Sequence, residues 1–408
     1  MKNKLLFLIY CVIGCLFTFP LFMESISSIF LIVLTVLVSS FLMYTKSKMV
    51  FTKEMFIYTL PFFILLCTNL FAVHSKIDWN SISIGLLFLI FPIVFFNIPT
   101  SLFKNLETKF LYILKFSCLI ISFYFIIYFL IHYNFADFFK ESYNESVFRD
   151  YVYHNSFFKV HPTYLSLFIN VGIIHSLVRM HKELKYFNLF YIFFSLLVIL
   201  LLTSRLMVVF SIFSISYVFF IKRVIKRAYF VIIAASLFIG ILFLPGIKSR
   251  FIETYQDFNT PPKGLYFNST NIRKSIVDCS FEILKENYLR GVGFSNIQTE
   301  LNACYKANYD SVFYENHNYM THNYLMYIFI GSGIFGFLTL LFYLFTIIKK
   351  CLKINNIILN LSLLNFILLL FVEDFFCRHF GLYFFSLLIF SYFRFNEYID
   401  EESVLNEQ

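Results

Sequence analysis

Three side chains stand apart from an apolar background: Arg205, Arg273 and His322. Arg205 lies in Thr203-Ser204-Arg205, the one break in an apolar run from Phe187 to Ile221. A guanidinium at membrane depth costs about 2.5 to 3.5 kcal/mol at a helix centre, so such groups tend to line a cavity or serve a site. Anion binding is one reading of Arg205, and a snorkelling anchor is the other. Arg273 and Lys274 fall in the first turn of a predicted helix, where the macrodipole favours acidic residues. Two cations there are unfavourable unless an anion binds, and a helix N-terminus together with a forked guanidinium suits phosphate. His322, beside Asn323, stands where a polar stretch runs into an apolar helix. An imidazole changes charge near neutral pH and can take a proton from a hydroxyl. A hydrogen-bonded interface histidine is the plainer alternative.

Other polar groups cluster at the same predicted end. His161-Pro162-Thr163-Tyr164 opens an apolar run, with Pro162 suited to a first helical position. His161 either contacts substrate or simply caps the helix. Glu373, followed by Asp374, Arg378 and His379, either orients an arginine or the histidine, or forms an interfacial ion-pair cluster. His317 lies near His322 in sequence, but no third well-spaced ligand accompanies them, so no metal is expected. Gly331-x-Gly333-x-x-Gly336 matches a dinucleotide fingerprint in letters only, because no strand precedes it. Its glycines are expected to let a neighbouring helix approach.

The elements that must position these groups are membrane helices. With 59% hydrophobic and 14% charged residues, the chain is far from the ~25% charge of a soluble globule. Runs long enough to cross a hydrocarbon core of ~30 Å recur from end to end. The first, Leu5 to Phe22, follows Lys2 and Lys4 and is expected to be a transmembrane helix rather than a cleaved leader. The net charge of +9 is carried in short clusters between apolar runs, which argues for topology signals and against nucleic acid. The run from Phe187 to Ile221, as one helix, would be ~52 Å long, so it is predicted to be a hairpin with Arg205 at its turn. The expected fold is all-α: a polytopic bundle of about 12 transmembrane helices with a large helical periplasmic loop. Residues 1–245 form the first nine spans, 246–321 the loop, 322–395 the last three spans and 396–408 a solvated, disordered tail.

Within the loop, the spacing of Ile272, Ile276, Ile283 and Leu284 predicts a helix over Asn271 to Asn287, with Gly291 just beyond it. Ser295 and Gln298 suggest a capping box for a second short helix. Cys279 and Cys304 face each other if the two pack as a hairpin, and a disulfide there suits an oxidising compartment.

Gly291-Val292-Gly293-Phe294-Ser295-Asn296, then His322-Asn323-Tyr324-Leu325 and Gly331-Ser332-Gly333-Ile334-Phe335-Gly336, occur in an order that resembles the O-antigen ligase and O-antigen polymerase superfamily. The similarity covers about Leu201 to Phe390. It implies a metal-independent, inverting membrane glycosyltransferase of the bacterial inner membrane, acting at the periplasmic face without a cofactor. Its donor would be a glycan on undecaprenyl pyrophosphate, and its acceptor a sugar hydroxyl, on lipid A core for a ligase or on another repeat unit for a polymerase. Arg205, Arg273 and His322 match the family's functional positions, while Asn323, His161, Lys274 and Glu373 are expected substrate contacts. Ligase is favoured over polymerase. A glycan transporter is the rival of another class, but its two similar halves are not evident in a chain whose polar features crowd the second half.

Overall fold

Apolar runs become helices in the computed structural model, which describes residues 1–71, 76–142, 145–158, 160–180, 184–221, 223, 227–243, 252–315 and 317–406. The loop boundary at Gly246 lies outside them, as do Lys182, Lys222 and Lys226 of the basic clusters between apolar runs. In chain order the helices are α1 (Lys2–Leu16), α2 (Glu24–Thr45), α3 (Lys53–Phe71), α4 (Trp79–Phe96), α5 (Leu111–His132), α6 (Val147–Tyr153), α7 (Pro162–Arg179) and α8 (Lys185–Leu201). They continue with α9 (Arg205–Phe220), α10 (Arg227–Phe243), α11 (Ser269–Asn287), α12 (Ile297–Asn308), α13 (Tyr324–Ile354), α14 (Ile357–Val372) and α15 (His379–Asn406). The described strands form one ladder of two residues on each side, Glu141–Ser142 against Glu145–Ser146, so the fold is all-α.

Five helical stretches among the described residues are long and apolar enough to cross a membrane: α2, α3, α4, the stretch Thr100–His132 that ends in α5, and α13. Four shorter apolar helices accompany them, namely α8, α9, Arg227–Phe238 within α10, and α14. The remaining long elements owe their lower hydropathy to position. Every residue of α7 from Pro162 to Leu177 is buried, and α15 is buried from His379 to Phe393. An inner helix carries polar groups if its neighbours satisfy them. Asn170 of α7 donates to Asn365 Oδ1 of α14 at 3.2 Å and accepts from Ser211 Oγ of α9 at 3.2 Å. Lys115 of α5 is likewise buried, its Nζ 2.5 Å from Asn188 Oδ1 and 4.2 Å from the centre of the Tyr112 ring.

The predicted hairpin between α8 and α9 is present, turning at Leu202–Ser204 with Thr203 in the left-handed region at φ +48°. The C-terminal segment departs from expectation. α15 continues to Asn406, Glu397 pairs with Arg394, and Glu401 Oε2 accepts from Thr100 Oγ1 at 2.6 Å, so the acidic residues past Asn396 extend a helix tied to the bundle.

α11 and α12 pack together as a hairpin, and Cys279 and Cys304 are joined in a disulfide with Cα atoms 5.8 Å apart. The capping box imagined for α12 is absent. Asn296 precedes the helix without a side-chain cap, and Gln298 Nε2 instead donates to Asn302 Oδ1 at 2.8 Å and to the Tyr319 carbonyl at 3.3 Å.

The two glycine motifs meet each other. α13 breaks at Gly333, where φ is +68°, and the loop after α11 runs across that break. Val292 N donates to the Ile330 carbonyl at 2.8 Å, Gly293 N to that of Gly331 at 3.0 Å, and Ile334 N to that of Tyr288 at 2.8 Å. A Cβ on Gly291 would lie 2.5 Å from the Gly331 oxygen, and one on Gly333 would lie 2.3 Å from the Leu289 oxygen. Gly331 and Gly333 therefore admit this loop rather than the expected helix; Gly336 alone faces one, with Ile64 of α3 at 3.1 Å from its added Cβ.

Candidate active site

The site is assembled at one end of the bundle, where α7, α9, α11 and α13 begin and α14 ends. α11 starts two residues earlier than its apolar spacing implies. Asn268 caps it, accepting from the backbone of Thr270 and Asn271, while Asn271 Oδ1 accepts from Asn268 N at 2.8 Å. This reciprocal cap satisfies donors that a helix start otherwise leaves open. Buried Asp257 holds the cap in turn, accepting from Asn268 Nδ2 at 2.7 Å and from Tyr266 Oη at 2.9 Å. Arg273 and Lys274 consequently sit in the second turn, not the first, and the macrodipole no longer bears on them directly. Lys274 pairs along its own helix with Asp278 at 2.8 Å.

Arg205 opens α9 and reaches the first turn of α11. It donates to Ser269 Oγ at 2.8 Å, to Thr270 Oγ1 at 3.4 Å, and to Thr254 Oγ1. The Ser269 and Thr270 hydroxyls donate onward to Glu253 Oε1 at 3.1 and 2.9 Å. Thr270 and Arg273 lie three apart on α11, so the helix brings the two guanidinium groups to the same end.

Arg273 donates to Glu373 Oε1 at 3.2 Å, and Glu373 Oε2 faces His322 Nδ1 at 3.6 Å. Burial alone would push the Glu373 carboxyl up. The facing imidazole and the charges of Arg273, His322 and His161 outweigh it and hold the group at about 2. His322 is not inside a helix as expected. It precedes Asn323, the N-cap of α13, and takes a left-handed φ of +42°. Asp374 fixes that conformation, accepting from His322 N at 2.9 Å, Asn323 N at 3.1 Å and Thr321 Oγ1. Burial pushes the Asp374 carboxyl above its ordinary value, against the pull of His322 and these donors.

The Asn323 side-chain oxygen is committed to the cap, accepting from Met326 N at 3.1 Å. His161 caps α7, its Nδ1 accepting from Thr163 N at 3.2 Å, yet its charge still acts on Glu373. The structure thus brings Arg273, Glu373, His322 and His161 together, adds Arg205 through Ser269 and Thr270, and turns Lys274 aside. Sequence reasoning named Asp374 only as part of a charged cluster, and it passed over Tyr319, whose ring centre lies 6.4 Å from that of His322. Among the described residues, the one grouping with metal-ligand spacing is Cys279, Glu282 and Cys304, and its two sulfurs are already bonded to each other.

A cation pair beside a carboxylate-held imidazole can bind an anionic leaving group and accept a proton. Residues 190–341 match the family model described as O-Antigen ligase, which bears out the resemblance to the ligase and polymerase superfamily. The matched segment holds Arg205, Arg273, His322 and both glycine motifs, whereas His161, Glu373 and Asp374 lie outside it. No curated protein matches the chain.

Proposed function

We propose, on the premise that residues 190–341 form an O-antigen ligase domain, that the chain is a membrane glycosyltransferase moving a glycan from undecaprenyl pyrophosphate to a sugar hydroxyl. The observation that carries this is the contact of one carboxylate, Glu373, with both Arg273 and His322. With Nδ1 turned to the carboxylate, Nε2 is the nitrogen available as a base, and a paired carboxylate stabilises the imidazolium that forms.

In this mechanism His322 Nε2 takes the proton of the acceptor hydroxyl. The acceptor oxygen bonds to the anomeric carbon from the face opposite the leaving group, which inverts that carbon. The bond from the anomeric carbon to the pyrophosphate oxygen breaks, and the lipid pyrophosphate departs with the electron pair. Arg205 and Arg273 bind that pyrophosphate, where forked, permanently charged groups suit phosphate oxygens. His322 then returns its proton to water. The pyrophosphate linkage already activates the sugar, so no nucleotide is required, and the arginines supply the positive charge without a metal. The active site would face the periplasm across a bacterial inner membrane, in a bundle of about 12 spans.

Ligation to lipid A core is the favoured reading, and polymerisation of repeat units uses the same chemistry. Surface-glycan profiling of a deletion strain separates them: unligated lipid-linked polymer indicates a ligase, single-repeat caps a polymerase. Reconstituted protein that moves no glycan from a lipid-linked donor would reject both.

A further inference from the structure

Arg205 and Arg273 stand on α9 and α11, while an aromatic ring lies beside each of the two histidines. Tyr153, at the end of α6, is 52% exposed and meets His161 edge-on with ring centres 5.3 Å apart. Half-buried Tyr319, three residues before His322, sits 6.4 Å from the His322 ring and 6.0 Å from that of His317. The two tyrosines come from separate segments and reach the site independently, Tyr153 against the His161 ring and Tyr319 against that of His322.

Tyr319 is also held in place. Its carbonyl accepts from Tyr305 Oη at 3.2 Å and from Gln298 Nε2 at 3.3 Å, both on α12, which the disulfide ties to α11. Backbone fixed in this way leaves only the side-chain torsions to be ordered when the ring binds. A tyrosine offers a flat apolar face with a polar tip, the complement of a pyranose, whose C–H face is apolar and whose edge carries hydroxyls. Nothing cationic is needed against these rings, because the acceptor reacts through a hydroxyl and releases no pyrophosphate.

We propose that Tyr153 and Tyr319 form the acceptor subsite, two aromatic faces that take a sugar ring of the acceptor glycan beside His322. The proposal rests on the glycosyltransferase reading for the identity of its ligand, but its test does not require turnover. Full-length protein in detergent is probed by saturation-transfer NMR with free oligosaccharides released from the envelope of the cells of origin. Saturation is expected on sugar ring protons with wild-type protein in the absence of any lipid-linked donor. Tyr153→Ala and Tyr319→Ala should each weaken binding about tenfold, and the Phe variants of both should retain it. Tyrosines that merely anchor the segments at a membrane interface would leave binding unchanged on substitution, and that result overturns the proposal, as does wild-type protein that binds none of the oligosaccharides. Tyrosine-dependent binding in a protein that transfers no glycan would sustain the subsite and reject the transferase reading instead.

Discussion

Glu373 divides its two oxygens between the groups on either side of it, taking the Arg273 guanidinium on Oε1 at 3.2 Å and facing His322 Nδ1 with Oε2 at 3.6 Å. One carboxylate therefore couples the cation assigned to the leaving group with the base assigned to the acceptor. Its 3.6 Å separation from the imidazole is longer than a hydrogen bond, and such contacts commonly tighten once substrate is bound.

Glu373→Gln should lower kcat by about 10²-fold or more, because the neutral amide neither orders the imidazole nor stabilises its cation. Glu373→Asp should recover part of that loss. The substitution also has a pH signature. The folded-state pKa of about 2 lies below the ordinary value of 4.5, so the stability this group contributes is complete above pH 4.5 and is lost as pH falls through 2. Thermal unfolding of wild type and Glu373→Gln in detergent should differ most above pH 4.5 and converge toward pH 2. A constant difference across that window would show that Glu373 is not held by its charged neighbours.

Asp374 acts on the backbone where Glu373 acts on the side chain. Its removal leaves His322 N and Asn323 N without their acceptor and frees His322 to leave the left-handed region. Asp374→Ala should cost about 1–3 kcal/mol, the penalty for orphaned buried donors, and should lower kcat with little change in donor KM. Amide exchange at residues 321–323 distinguishes this positioning role from a general loss of structure. Faster exchange confined to those residues is expected, and unchanged exchange there would contradict it.

The helical hairpin carrying Arg205 and the α11 core were legible because each follows from local spacing and run length, whereas the pairing of Cys279 with Cys304 stayed conditional on how two helices pack. What sequence reasoning misplaced depends on partners far along the chain. α11 begins at Ser269 because Asn268 and Asn271 cap each other, an Asn-x-x-Asn pattern without the usual Ser or Thr and Glu or Gln. His322 has no local signal for a positive φ, since the carboxylate that enforces it is 52 residues later. Glycine spacing in α13 announces a close approach but not its partner, and the acidic residues after Asn396 read as solvent-facing without Thr100 beside them.

The Cys279–Cys304 link closes a separation of 25 residues, and a loop of that size confers about 3 kcal/mol on chain-entropy grounds. Cys279→Ser with Cys304→Ser should leave the membrane helices folded while making the segment from α11 to α12 protease-sensitive. Arg273 rides on α11 and Tyr319 is held by α12, so transfer should fall in parallel. Mass spectrometry of alkylated protein checks the bond itself, and two free thiols at these positions in protein from an oxidising compartment would disprove the linkage.

The crossing of the two glycine motifs yields an ordering that composition alone cannot supply. At Gly333 and Gly291 an added Cβ meets backbone atoms at 2.3 and 2.5 Å, and both residues have positive φ, so neither clash nor conformation can be relieved by rotating a side chain. At Gly331 the obstacle is a side chain, the Phe294 ring at 2.4 Å, which unlike backbone can turn at the expense of its stacking on Tyr327. Gly333→Ala and Gly291→Ala should therefore undock the loop that carries α11 away from α13, at about 1–3 kcal/mol of strain for each non-glycine forced into this backbone plus the steric overlap, and should abolish transfer. Gly331→Ala should be the mildest of the three. Limited proteolysis near Arg290 together with transfer assays ranks them, and a Gly331 variant more damaged than the Gly333 variant would mean that the loop does not pass through the break in α13.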